Sequence, residues 1–129
     1  MKYMFLIYVN ESDSRSEGGE DDIAEHVTFT RDAIARNAYI TCDALETTPA
    51  ATTVRVRDGE ALVSDGPFAE TKEALGGYYV LECKDLDEAI GYAKRIPPAK
   101  HGAIEIRPIM EIPGWNEMIG LMPAAVPAG

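Results

Sequence analysis

Residues 3 to 9 read YMFLIYV. A strand sends successive side chains to opposite faces, so a run that is apolar at every position has no face to offer water. Such a run reads as an interior strand, covered in front and behind. The rest of the chain must supply that cover.

The segments that follow alternate in kind. NESDSRSEGGEDD is polar, carries a Gly pair, and reads as a long mobile loop. Asp22 with Glu25 three residues on has the form of a capping box. Ile23, Val27, Ile34 and Ala38 then recur at the spacing of one helical face. Thr28, Phe29 and Thr30 lower helix propensity, so this helix depends on packing, and Asn37 is where it should stop. YITCDAL is a short extended piece. In TTVRVRDGEALVSDG two alternating arms flank Asp58-Gly59, the dipeptide favoured where both turn residues need positive φ, so the segment predicts a β-hairpin. GGYYVLEC is a further strand. Asp85 to Ile96 predicts a helix, with Asp85 and Glu88 as capping pair and Leu86, Ala89, Ile90, Ala93 and Ile96 as its apolar stripe; Pro97-Pro98 ends it. GAIEIRPIMEI alternates and holds Pro108, which suits an edge strand or a point where pairing lapses. Residues 114–129 form a tail without a period.

The order β, α, hairpin, β, α, β predicts an α+β fold, a ferredoxin-like split βαβ antiparallel sheet with an added hairpin. Two helices cover one side of such a sheet. The first strand is apolar on both sides, and Tyr78-Tyr79 puts an aromatic on each. A monomer would thus expose a contiguous apolar face unless its loop or tail folds over it. A homodimer with its sheets face to face solves the problem and encloses a space in which a small molecule could sit.

Charge narrows the partners. With 22 acidic against 12 basic residues, the net charge is −10. That repels phosphate backbones and anionic lipid, so neither nucleic acid nor a membrane is an expected partner. MFLIYV is too short to span a bilayer and no cleavage-site pattern follows it, so a cytoplasmic location is expected. Cys42 and Cys83 are far apart, with no CxxC and no nearby His pair. That spacing argues against zinc and thioredoxin chemistry, and two buried thiols in a reducing compartment are expected instead. The expectation is no metal and no cofactor.

SDGPFAETKE, then LGGYYVLEC and HGAIEIRPI, together with the opening KYMFLIYVNE, resemble the DGPF subgroup of the YCII-related proteins. The resemblance runs from Met1 to about Pro113, so residues 1–113 are taken as the domain and 114–129 as a tail. It implies a ferredoxin-like fold of the dimeric α/β-barrel type and an association with extracytoplasmic-function sigma factors. In the wider family a His on the first helix, paired with an Asp, has been proposed as a catalytic dyad, and one relative removes chloride from a chlorinated hydroxyquinone. His26 matches that His. The acid has no counterpart at Ala35-Arg36-Asn37, where the first helix ends.

The residues themselves leave several roles open. His26 borders the apolar stripe of its helix, where it is either a general base or a flanking imidazole packed on the sheet. Asp65, before Gly66-Pro67, either orients that imidazole or closes an Asx-turn on its own backbone. Pro67 delivers Phe68 at one angle, to plug the core's end or the mouth of the cavity, and burying such a ring is worth ~2–3 kcal/mol. The candidate ligand contacts are Tyr8, Phe68, His101 and Arg107; Arg55 and Arg57 are further cations that could meet an anion. The expected function is a dimeric small-molecule domain performing cofactor-free proton abstraction or elimination on a cyclic or aromatic substrate, with His26 as base and Asp65 as orienter. The alternative is a non-catalytic ligand sensor or interaction module serving a sigma factor.

Overall fold

The computed structural model describes residues 1–13 and 20–121. Much of the loop expected over residues 10–22, and the end of the tail, lie outside them. Strand β1 (Lys2–Val9) pairs antiparallel with β5 (Ala74–Glu82) on one side and β6 (Ala103–Pro108) on the other. β2 (Tyr39–Ala44) completes a sheet of order β2-β5-β1-β6. The doubly apolar run is therefore interior, and β6, which ends in Pro108, is an edge.

The pleat sorts β1 cleanly. Tyr3, Phe5 and Ile7 are buried toward helices α1 (Glu20–Ala35) and α2 (Leu86–Ala93), in one core with Phe29, Ala33, Tyr79, Leu81, Ala89, Tyr92 and Ile96. Met4, Leu6 and Tyr8 look the other way and are half-buried, in the company of Tyr78 and Val80. The helices thus cover one face, and the other is a partly apolar surface rimmed by Glu105 and Arg107.

Helix α1 departs from its expected orientation. Ile23, Val27 and Ile34 are 57%, 43% and 53% exposed, while Phe29 and Ala33 point into the core. The reason is aromatic packing: Phe29 sits edge-on to Tyr79 at 5.0 Å and to Tyr92 at 6.3 Å, an arrangement that adds to the burial of the ring. The aliphatic stripe is turned outward in exchange. The helix also runs from Glu20, so Asp22 lies within its first turn instead of ahead of it. Its end is as expected. Asn37 takes φ 58° and the Ala38 N–H reaches the Ala33 carbonyl at 2.9 Å, closing the helix through a left-handed residue.

In α2, Asp85 Oδ1 accepts the Glu88 N–H at 2.9 Å, the expected cap. The helix proper stops at Ala93, and a turn carries the chain to fully buried Ile96. Tyr92 is buried where Leu86 and Ile90, expected in the stripe, are exposed.

The hairpin is present as β3 (Thr52–Arg57) and β4 (Glu60–Asp65), with Asp58 and Gly59 at φ 51° and 78°. It forms a separate two-stranded ribbon. One face carries Val54, Val56 and Val63, all 60% exposed or more. After Pro113 a short helix α3 (Trp115–Met118) leaves Trp115 half exposed. Among the described residues no helix is long and apolar enough to cross a membrane.

Candidate functional site

A cavity of about 810 Å³ opens on the helix-bearing side of the sheet, between α1 and strands β1, β2 and β5. It is a different space from the one expected between the facing sheets of a homodimer. Because α1 turns Ile23 and Val27 outward, these side chains become its wall; Ile7, Val9, Cys42 and Tyr79 line it from the strands. A volume of that size holds a small organic molecule.

His26 projects from α1 with its side chain 26% exposed, and its Nδ1 lies 2.8 Å from the hydroxyl of Tyr79. The two rings are stacked, with centroids 6.0 Å apart. Tyr79 is 3% exposed, and its hydroxyl also lies 3.2 Å from Thr30 Oγ1. Thr30 in turn donates to the His26 carbonyl at 2.7 Å. On the far edge of the imidazole, Nε2 lies 4.0 Å from Asp22 Oδ1, close enough for attraction but not for a hydrogen bond. Burial lowers the His26 pKa below its ordinary 6.5, and Asp22 and then Glu25 oppose that shift. Burial likewise raises the phenol of Tyr79.

His101 lines the same cavity from the turn before β6, half-buried, and its Nδ1 is enclosed without a hydrogen-bond partner among the described residues. The following Gly102 allows this close approach, since a Cβ there would collide with the carbonyl oxygen of Tyr8. Asp22, Asp43 and Glu46 also border the space, with Arg31 the one Lys or Arg among the described lining residues. Among the described residues, no group of three His, Cys, Asp or Glu side chains is placed to hold a metal ion.

His26 and His101 are thus brought together at one cavity, and the other sequence candidates are not. Asp65 is exposed at the end of β4, opposite Thr52, and does not line the cavity. The hairpin that carries it stands apart from the sheet, so the carboxylate beside His26 is Asp22 instead. Tyr8 lies on the open face and donates to Glu105 Oε1 at 3.3 Å. Arg107 lies on that face too, opposite Met4. Phe68 plugs nothing within the described chain. It is 77% exposed, with the Arg55 guanidinium 5.7 Å from its ring centre. Arg55 and Arg57 belong to the hairpin and do not line the cavity. Sequence reasoning missed Tyr79 and Thr30 as partners of His26 and took Asp22 for a cap. The i, i+4 spacing of Asp22, His26 and Thr30 was the available signal.

A sequence model of the YCII-related domain matches residues 1–113. The chain belongs to that family. A relative, an uncharacterized protein of Rhizobium meliloti (strain 1021), is 38% identical over 117 residues, covering 84% of this chain and 92% of the relative. Among solved structures, the 5-chloro-2-hydroxyhydroquinone dehydrochlorinase of Burkholderia phenoliruptrix AC1100, in complex with 2,5-dihydroxybenzoquinone, is similar at a TM-score of 0.46 and 15% identity, covering 83% of this chain and 93% of that one.

Proposed function

We propose that this YCII-related domain binds a small, largely apolar molecule in the cavity between α1 and the sheet and abstracts a proton from it, with His26 as general base. The observation that carries the reading is a half-buried imidazole, held below its ordinary pKa, on the wall of a cavity that Ile7, Val9, Ile23 and Val27 also line. Lowered basicity keeps the ring neutral and ready to accept a proton at physiological pH. Asp22, 4.0 Å away, favours the imidazolium formed after the transfer. Elimination from a cyclic or aromatic substrate is the reaction class, and it needs no cofactor. Assignment to the DGPF subgroup, with a ferredoxin-like fold of the dimeric α/β-barrel type, belongs to the same reading.

The chain is proposed to act as a homodimer that buries the open face of Met4, Leu6 and Tyr78. Light scattering should give twice the 14.1 kDa of one chain, and Leu6→Asp should yield single subunits. The function is tested by a thermal-shift screen of small cyclic compounds on wild type and His26→Ala, followed by turnover of each hit. A hit that stabilises both proteins equally places His26 outside the site and refutes the assignment. A second reading, a non-catalytic ligand sensor or interaction module for a sigma factor, draws support from the exposed valines of the hairpin. It gains if hits bind without turnover, and it fails if a coexpressed sigma factor neither binds the protein nor changes its transcription.

A further inference from the structure

The groups behind His26 form a hydrogen-bond series whose direction is set at one end. Thr30 Oγ1 lies 2.7 Å from the His26 carbonyl oxygen. A carbonyl only accepts, so Thr30 commits its single hydrogen there. The Tyr79 hydroxyl, 3.2 Å from Thr30 Oγ1, meets an oxygen with no hydrogen left to offer and must itself be the donor. Having given its one hydrogen to Thr30, Tyr79 can only accept from His26 Nδ1, 2.8 Å away. Nδ1 then carries the proton of the neutral ring, and Nε2, on the Asp22 side, is bare.

We propose that Tyr79 and Thr30 are positioning residues that lock neutral His26 in its Nδ1–H tautomer, so that the nitrogen beside Asp22 is an unprotonated acceptor. The ring orientation agrees with this. Stacking on Tyr79 and the contact to its hydroxyl engage Nδ1 with a buried group, and a His tautomer is set by the hydrogen bond its other nitrogen makes. The arrangement also defines the ligand. A bare nitrogen on a cavity that Ile23 and Val27 also line suits a neutral molecule that brings a weakly acidic O–H or C–H. It rejects one that brings only acceptors. An anion is a poor match, because Asp22, Asp43 and Glu46 border the space against Arg31.

The chemical consequence rests on His26 being the base proposed above, but the position of the proton does not. It is read directly from the ring ¹⁵N shifts of labelled protein. The chain has two histidines, so His101→Gln assigns the signals. The ring is titrated first, since Asp22 and Glu25 on its own helix bear on its charge, while Tyr79 on β5, Arg31 and His101 face the same cavity. Above that transition, wild type should show a protonated Nδ1 and a bare Nε2. Thr30→Val keeps the side-chain volume but removes the acceptor of the Tyr79 hydrogen, which is then free to turn to Nδ1. The proton should move to Nε2 in this variant and return to Nδ1 in Thr30→Ser. Wild type with its proton on Nε2 overturns the proposal, and this spectrum decides alone if Thr30→Val does not fold. A folded Thr30→Val protein with the wild-type pattern also overturns it. If the tautomer is as expected and no bound compound loses a proton, the catalytic reading fails and the tautomer assignment stands.

Discussion

Replacing Tyr79 by Phe removes one oxygen and keeps the ring that packs edge-on against Phe29 at 5.0 Å. The loss is therefore confined to hydrogen bonding. The hydroxyl meets His26 Nδ1 at 2.8 Å and Thr30 Oγ1 at 3.2 Å, and each such bond contributes a net ~0.5–1.5 kcal/mol. Thr30 keeps its bond to the His26 carbonyl, but the imidazole nitrogen is left facing a phenyl ring. Together these give a destabilisation of about 2 kcal/mol, short of the full cost of a sealed orphan because His26 is partly open to solvent. For a chain of this length the drop corresponds to roughly 6–10 °C in Tm. Urea unfolding should show a lower midpoint at unchanged slope, since the surface exposed on unfolding is the same. A double-mutant cycle with His26→Ala should leave a coupling of ~1 kcal/mol. A Tyr79→Phe protein within ~0.5 kcal/mol of wild type would refute the reasoning, because three bonded groups cannot lose their central member at so small a cost.

Three further outcomes are expected. The His26 pKa is lowered on folding, so the unfolded chain binds its proton more readily; this contribution to stability is present above the ordinary 6.5 and is lost as pH falls through the folded value. Denaturant melts between pH 7 and 5 should show that slope in wild type and less of it in His26→Gln. Burial pushes the Cys83 thiol up to about 11, so iodoacetamide at pH 8 should modify half-exposed Cys42 first, as read by peptide mass spectrometry. Gly59→Ala forces a side chain onto φ 78° at a cost of about 1 kcal/mol. That loss should appear as faster amide exchange in β3 and β4 with little change in global Tm, because the ribbon is a separate sheet.

Those features of the fold that rest on neighbouring residues were legible in the sequence. The Asp58-Gly59 turn, the Asp85 cap and the end of α1 at Asn37 depend on backbone conformations that one or two side chains impose. The interior position of β1 was legible too, since its apolar run admits no wet face. The facing of α1 was not. Two weak stripes compete on that helix, and the choice belongs to Tyr79 and Tyr92, which lie far along the chain and receive Phe29. The site followed the same rule. His26 could be singled out by its chemistry, but its contact with Tyr79 spans 53 positions and exists only once β5 lies beneath α1. Asp65 reads as an orienter in the sequence because it sits at a strand end. That strand belongs to a ribbon outside the main sheet, which removes it from the cavity.

The ribbon of β3 and β4 has a consequence for how this molecule tolerates change. Almost every side chain on it points to solvent on one surface or the other, so nothing among the described residues screens its amino acids for size or shape. Its sequence answers to the Asp58-Gly59 bend and to whatever the arm touches beyond its own chain. An epitope or a fluorescent probe grafted at that bend would ride on the protein without reaching the hydrophobic interior. A library varied along the two strands would then report, by which members survive selection in cells, whether an outside contact is being kept.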